Sequence, residues 1–189
     1  VYEANITVFD ALKKSDYDTK GKFYLERYVS AHAIMVSFEG IPGIYFNSIF
    51  GTSNDEAKFI ITGNNRDVNR YRWNLKNITN KLKNKRTKQS IFYQNICNLL
   101  NIRRKQKAFH PNASRFNLDF GQKIYGFKRI SKDKKQTIMC ITNLSSKIQK
   151  IKISKKNQEM KNLINSEIHI ENKKFLILKP FETIWLSNK

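Results

Sequence analysis

Cysteine is scarce in this sequence, and its scarcity bears on both fold stabilisation and cofactor chemistry. Cys97 and Cys140 are the only two in 189 residues, and neither belongs to a Cys-x-x-Cys pair or a Cys/His cluster. This isolation indicates neither a disulfide framework nor a zinc site. We therefore expect a cytoplasmic protein that uses no metal and no other cofactor.

Long apolar runs are also missing. No run approaches the roughly 18 consecutive residues that a membrane-spanning helix requires, so the sequence predicts no membrane association. The chain starts at Val1, and nothing near it resembles the charged and apolar segments of a secretory signal. A start without methionine is compatible with a piece of a longer protein.

Acidic residues are few relative to basic ones. Fifteen Asp and Glu face 36 Lys and Arg, a net charge of +21, which is a common feature of nucleic-acid binders. The densest basic runs, 81–89, 103–107 and 128–135, carry no zinc-finger spacing and no ribonucleoprotein signature. A solvated basic surface is therefore favoured and a nucleic-acid partner is unlikely, although a free-standing basic nucleic-acid-binding protein remains the alternative.

Apolar material is sufficient for a core, at 40% of the residues. Up to about residue 105, apolar residues spaced by three and four predict helices over 22–39 and 89–106. Between them "IPGIYFN" (41–47) predicts a short buried strand, and Asp10 is a plausible N-cap for a further helix. Helix, buried strand, loop and helix together indicate an α/β unit.

Beyond residue 106 the pattern changes to alternation with a period of two. Short runs of β-branched residues are separated by Ser, Asn and Lys clusters that suit turns. We expect a small antiparallel sandwich with strands in the following segments: "KIYGFKRI", "QTIMCITNL", "KIQKIKI", "SEIHIEN" and "KFLILKPFETIWL".

A polar stretch over 47–72 follows the predicted strand without an apolar period. Functional loops leave parallel strands at their carboxyl ends, so this loop lies where a ligand is expected to bind. Its Asn, Asp and Arg side chains offer donors and acceptors suited to a polyhydroxylated ligand. Arg66 and Asp67 can equally form a structural ion pair that holds the loop.

The order of these segments resembles the end of the catalytic barrel of the α-amylase family of glycoside hydrolases, in particular its sucrose phosphorylase branch. The resemblance runs from one end of the chain to the other through four motifs: "YEANITVFDAL", "GIPGIYFNSIFGTSND…TGNNRDVNR", "AFHPNASRFNL" and "LKPFETIWL". It implies an α/β fold, the end of a (β/α)8 barrel over 1–105, followed by an all-β C-terminal domain over 106–189.

The resemblance also implies an activity. The family's branch transfers a glucosyl unit from sucrose or a related glucoside, such as glucosylglycerate, to inorganic phosphate with retention of configuration, which requires two carboxyl groups. The motifs that carry these carboxylates precede "YEANITVFDAL" in the family, so the chain is expected to contain no catalytic residue. An α-glucoside hydrolase of the same family is an alternative.

Substrate-binding residues are implied by the same motifs. Arg66 matches the arginine that contacts the glucosyl unit, and a planar guanidinium with five donors suits adjacent sugar hydroxyls. Tyr2 matches a tyrosine near the acceptor. Glu3 stands where sucrose phosphorylases have Gln, a departure that leaves the acceptor and the leaving group open, with glucosylglycerate or a sugar phosphate as alternatives to sucrose.

Three further residues of the loop are candidates on the same grounds. Asn69 and Arg70 match the motif, with fixing of the loop as the favoured role, and Asp55 belongs to the matching Asn-Asp pair. The expected partners are thus a sugar substrate and inorganic phosphate, and the sequence does not predict an oligomeric state.

Overall fold

The computed structural model describes residues 4–172 and 174–189. The described chain divides into two compact units, one of residues up to Tyr28 with Gly43–Cys97 and one of Val29–Pro42 with Asn98–Lys189. The two candidate residues Tyr2 and Glu3 lie outside the described residues. The domain boundary at residue 105 stays a prediction.

Helices dominate the first half of the described chain. Both long helices that the sequence predicts are confirmed, within two residues at each end. The helices are α1 (Val8–Leu12), α2 (Tyr24–Ser37), α3 (Phe46–Ile49), α4 (Glu56–Thr62), α5 (Leu75–Lys83), α6 (Lys88–Lys105), and two 3-10 helices, Asn65–Asn69 and Lys107–Phe109.

An aromatic cluster forms the core of the first unit. Tyr28 and Phe92 are completely buried, with ring centroids 4.5 Å apart, and Phe9 packs edge-on against Phe92 at 5.7 Å. Aromatic rings bury large apolar areas and favour such tilted and edge-to-face contacts. The Tyr28 hydroxyl donates to the Ser48 carbonyl oxygen at 2.5 Å, so its polar end is satisfied within the core.

Two expectations for the helical half of the chain are wrong in detail. Of the strand predicted over 41–47, residues 41–45 belong to no helix or strand and residues 46–47 begin α3, and Ile41 and Tyr45 are exposed, so the buried strand is absent here. A strand requires a hydrogen-bonded neighbour, and no strand lies beside these residues in the described chain. The N-cap of α1 is Thr7, whose hydroxyl accepts from the Asp10 amide, whereas Asp10 lies inside the helix.

Antiparallel sheets dominate the second unit, as the alternating pattern predicts. One sheet has the order β1-β2-β3-β8-β5 and the other β4-β7-β6. The strands are β1 (Ser114–Asp119), β2 (Ile124–Ile130), β3 (Thr137–Asn143), β4 (Gln149–Lys152), β5 (Lys161–Asn162), β6 (Ile170–Glu171), β7 (Phe175–Leu178) and β8 (Thr183–Ser187), with a short helix α7 (Lys155–Gln158) between β4 and β5.

The two sheets share one apolar core, which makes the strand region of this unit a sandwich. Ile141 and Leu186 from the first sheet cluster with Leu176 and Leu178 from the second, and all four are almost completely buried. Inward-facing residues of both sheets interdigitate in such packing. The predicted small sandwich is therefore confirmed.

Two buried arginines hold the end of α2. The Arg129 guanidinium, fully buried, donates to the Ser37 carbonyl oxygen at 2.7 Å. Arg103 donates to the carbonyl oxygens of Phe38 at 3.1 Å and Gly40 at 2.7 Å. These carbonyls lie at and beyond the end of α2, where no intrahelical donor remains. A positive charge at this end of the helix also interacts favourably with the helix dipole.

Candidate functional site

The predicted polar loop over 47–72 is largely helical. It contains α3, α4 and the 3-10 helix Asn65–Asn69, so the expectation of an irregular loop is wrong. Asp55 is the N-cap of α4, where its side chain accepts from the Lys58 amide at 3.1 Å. Gly63 ends the helix in the left-handed conformation that closes such turns. The candidate residue Asp55 thus has a structural role in the described chain.

An ion pair fixes the 3-10 helix relative to α4. Lys58 contacts Asp67 at 2.5 Å, and the Thr62 hydroxyl donates to the other oxygen of the same carboxylate at 2.8 Å. These hydrogen bonds hold the pKa of Asp67 below its usual value. The Asp55 amide also donates to the Val68 carbonyl oxygen at 2.7 Å. The turn that carries Arg66 is therefore held at several points.

Arg66 lies on the surface of this turn. Its backbone amide donates to the Asn64 side chain at 3.1 Å, which makes Asn64 the N-cap of the 3-10 helix. The Arg66 side chain is exposed, as a residue that contacts a ligand must be before binding. The sequence suggests Asp67 as an ion-pair partner of Arg66. In the structure the Asp67 carboxylate accepts hydrogen bonds from Lys58 and Thr62.

Asn69 and Arg70 end the turn in different environments. Arg70 is exposed, whereas Asn69 is half-buried and lines a cavity of about 210 Å³ together with Asn47 and Thr7. The side-chain oxygens of Asn69 and Asn47 are buried and have no hydrogen-bond partner among the described residues. The Asn47 side-chain amide does donate to the Tyr71 carbonyl oxygen at 2.9 Å, so only its oxygen is unpaired there, and a buried acceptor without a partner is costly.

The segment that follows Tyr2 and Glu3 is tied to the same loop, a connection that the sequence analysis missed. The Thr7 amide donates to the Asn54 side chain at 2.8 Å, and the Asn54 amide donates to the Asp10 carboxylate at 2.5 Å. Burial alone would raise the pKa of Asp10, but hydrogen bonds from Lys13 and Asn54 outweigh it and lower that pKa. These reciprocal bonds bring "YEANITVFDAL" and the Asn-Asp loop together, which is consistent with the motifs forming one site.

Neither a metal-binding cluster nor a membrane-spanning helix is found in the described part of the chain. Residues 4–172 and 174–189 contain no group of three or more His, Cys, Asp or Glu side chains suited to a metal ion. None of the helices in those ranges combines the length and apolar content that crossing a bilayer requires.

Solved structures identify the fold as that of α-amylase family enzymes. An AmyP variant in complex with maltotriose superposes with a TM-score of 0.69 at 15% identity, covering 88% of this chain and 35% of that chain. An isomaltulose synthase mutant from Erwinia rhapontici NX5, in complex with sucrose, gives 0.66 at 14% identity over 98% of this chain and 42% of the other. At such identities the likeness concerns the fold.

The relatives found by sequence comparison are glycoside phosphorylases. Glucosylglycerate phosphorylase of Escherichia coli K12 is 32% identical over 98% of this chain, and that of Allomeiothermus silvanus is 27% identical over 98%. Sucrose phosphorylase of Agrobacterium vitis is 29% identical over 58%. No protein-family model matches the chain. The chain is thus a relative of the glucosylglycerate and sucrose phosphorylases, and it spans about a third of the length of the curated relatives it matches.

Proposed function

We propose that this chain is the C-terminal part of a glycoside phosphorylase that moves a glucosyl unit from glucosylglycerate to inorganic phosphate. The observation that carries the proposal is the 32% identity to a glucosylglycerate phosphorylase over 98% of the chain. Three glucosylglycerate phosphorylases match at 27–32% identity, whereas the sucrose phosphorylase matches over a shorter part of the chain. Sucrose is therefore the second candidate donor.

The proposed place of the chain in the enzyme follows the motifs. Residues 1–105 would supply the end of the (β/α)8 barrel, and residues 106–189 the C-terminal β domain. The exposed segment 41–45 would then gain strand neighbours from the remainder of the barrel, which accounts for an apolar sequence that is unpaired in the described chain.

The proposed chemistry is double displacement with retention. One carboxylate attacks the anomeric carbon while a carboxylic acid protonates the leaving oxygen, and phosphate then displaces the enzyme from the glucosyl intermediate. The product is α-glucose 1-phosphate. We assign both carboxyl groups to the part of the enzyme outside this chain, so the chain contributes to binding rather than to bond breaking.

Arg66 is the residue of this chain that we assign to the glucosyl unit. Its charge is permanent and its planar fork donates to two adjacent oxygens at once. The ion pair of Lys58 with Asp67, the residue after Arg66, limits the motion of the turn, which reduces the entropy that binding has to overcome. Tyr2 and Glu3 are assigned to the acceptor side, with Asn69, Arg70 and Asp55 supporting the turn.

The assignment of Arg66 is tested with a matched pair of variants. Arg66→Ala removes the guanidinium and should lower kcat/KM for glucosylglycerate about 100-fold, as expected for loss of a charge-assisted contact. Arg86→Ala is the control, because Arg86 is also exposed and its amide likewise donates to the side chain of an asparagine two residues earlier, at 3.0 Å. Equal kcat/KM for the two variants in the protein expressed from its complete gene would contradict the assignment.

A further inference from the structure

The sandwich of the second unit contains a cavity that plays no part in the proposed reaction. Its volume is about 330 Å³, at the lower end of the range for sites that bind small organic molecules. Its apolar lining consists of Leu118 of β1, Ile130 of β2, Met139 of β3 and Met160 beyond α7. Among the described residues that line it, only Lys128 is charged. The cavity therefore suits a mainly apolar molecule with one polar end.

The strand register explains why these residues meet. Lys128 of β2 lies opposite Met139 of β3 and opposite Phe116 of β1. Directly opposed residues of antiparallel strands share a face of the sheet, and so do residues two apart on one strand. Ile130 and Leu118 are each two residues from one member of these pairs, so all five side chains lie on the same face.

This face is not the one on which the barrel is proposed to continue. The opposite face carries Phe127, whose ring centroid lies 5.3 Å from that of Phe38, and Arg129, which donates to the Ser37 carbonyl oxygen. Segment 41–45, which the remainder of the barrel would join, follows these contacts in the chain. The barrel is therefore expected on the face of Phe127 and Arg129, and the cavity lies on the other one.

Two methionines give the apolar wall an adaptable shape. Met139 is 8% exposed and Met160 is 6% exposed, and both belong to the apolar core of the sandwich. An unbranched thioether side chain fills irregular spaces and makes favourable contacts with aromatic rings. A ligand with an aromatic ring would thus be covered by side chains that already form part of the core.

Lys128 supplies a positive charge that no carboxylate of the lining offsets. Its side chain is half-buried, and its ammonium lies 5.2 Å from the centroid of the Phe116 ring. It forms no ion pair with any residue in 4–172 or 174–189. The Asn188 side-chain oxygen accepts from the Thr137 amide at 2.8 Å, which leaves the NH2 group of Asn188 as a second donor at the cavity. These donors favour a ligand whose polar end is an anion.

We propose that this cavity binds a small aromatic carboxylate. The ring would pack against Met139 and Met160, and the carboxylate would lie at Lys128. Removal of apolar surface from water supplies most of the affinity, and the lysine supplies the preference for an anion. The inference does not rest on the proposed function, because none of the residues assigned to the sugar or to phosphate lines the cavity.

The charge requirement is tested with 3-phenylpropionate and 3-phenylpropanamide, which share a ring and a chain and differ in the anionic group. Isothermal titration calorimetry measures binding of each to the protein expressed from its complete gene. We expect the carboxylate to bind about tenfold more tightly than the amide, with affinity that falls as salt is raised. Equal affinity of the two probes, or no saturable binding of the carboxylate, would overturn the proposal.

Methionine methyl signals locate the bound probe. The same protein is labelled at its methionine methyl groups with carbon-13, and the signals of Met139, Met160 and Met35 are identified by single Met→Leu variants, which conserve side-chain volume. We expect 3-phenylpropionate to shift the signals of Met139 and Met160. The signal of Met35, which lies in α2 and does not line the cavity, should stay in place. Unchanged signals of Met139 and Met160, or equal shifts of all three, would place the probe elsewhere and overturn the proposal.

A matched pair of lysine variants tests the anion site. Lys128→Gln should weaken binding of 3-phenylpropionate about tenfold and leave binding of the amide unchanged. Lys123→Gln removes the same charge from an exposed residue just before β2 that does not line the cavity, and it should affect neither probe. Equal effects of the two substitutions, or a preference for the carboxylate that persists in Lys128→Gln, would overturn the proposal. Phosphorylase activity is expected to be unchanged in both variants, so the proposed function is tested separately.

Discussion

At the scale of single residues, Gly51 shows how closely the first unit is packed. Its φ is +57°, and a Cβ placed on it would lie 2.2 Å from the Phe92 ring. Gly51→Ala should therefore lower the free energy of unfolding by about 2 to 4 kcal/mol, through strain and overpacking together. Gly63→Ala is the control, since Gly63 has φ of +65° but nothing within 4 Å, and it should cost only about 1 kcal/mol. Urea unfolding compares the two, and an equal loss would contradict the packing account.

Asp18 is a buried carboxylate for which the sequence gives no signal. It accepts from the Lys22 and Phe23 amides, each at 2.8 Å, and from Arg27 at 2.6 Å. Burial alone would raise its pKa, but these bonds outweigh burial and lower the pKa to about 2. No periodicity marks such a residue, because its partners come from a turn and from a helix nine residues away.

The lowered pKa of Asp18 makes a prediction about acid stability. A carboxyl group with a depressed pKa in the folded state stabilises the protein above its unfolded pKa, and this stabilisation is lost as pH falls through the folded pKa. We expect the free energy of unfolding to fall between about pH 4 and pH 2, and Asp18→Asn to remove part of that dependence. Urea unfolding at several pH values measures it. If the free energy of unfolding depends on pH in the same way in the unsubstituted protein and in Asp18→Asn, the proposed role of Asp18 is contradicted.

At the scale of secondary structure, the ion pair between Lys58 and Asp67 is expected to control the turn that carries Arg66. Lys58→Met removes the cation, so the pKa of Asp67 should return toward its usual value and the turn should open more often. Hydrogen exchange of the Asp55 amide, which is bonded to Val68, should become about three- to tenfold faster.

Lys150→Met provides the control for this measurement, because Lys150 contacts Glu171 at a similar distance of 2.6 Å in the second unit, which contains no residue of the turn. Exchange of the Asp55 amide should be unaffected in that variant. Faster exchange in both variants would show a general loss of stability, and unchanged exchange in both would contradict the role of the Lys58 pair.

Elements with a strong apolar pattern were predictable from the sequence, and those without it were not. Helix α6 was predicted because its apolar stripe includes Phe92, Ile96 and Leu99, which are all buried. Helix α4 was missed because Ile60 and Ile61 are exposed and show no amphipathic period. The strand predicted over 41–47 does not form in the described chain, because a strand depends on hydrogen-bonded neighbours that its own sequence does not contain.

The candidate site was also predictable only in part from the sequence. The motif located the turn around Arg66, but its stabilisation by Lys58 and its connection to Asp10 through Asn54 depend on contacts between residues distant in sequence. The exposure of Arg66 is a property of the folded turn and could not be read from the motif.

At the scale of the whole molecule, the fold matches that of α-amylase family enzymes, and the sequence relatives are glycoside phosphorylases. Two antiparallel sheets follow a helical region, solved α-amylase family enzymes superpose over most of the chain, and phosphorylases match it from end to end. Because the chain covers about a third of the length of those relatives, a phosphorylase activity is a proposal that the assay below tests. The net charge of +21 does not contradict this role, since basic side chains are distributed along the whole sequence.

The measurement that tests the central proposal most directly is the phosphate dependence of glucosyl transfer. The protein expressed from its complete gene is incubated with glucosylglycerate, and separately with sucrose, with and without inorganic phosphate, and the sugar products are quantified. We expect α-glucose 1-phosphate from glucosylglycerate only when phosphate is present, and a slower reaction with sucrose. Release of free glucose at the same rate with and without phosphate, or no reaction with either glucoside, would contradict the proposed function.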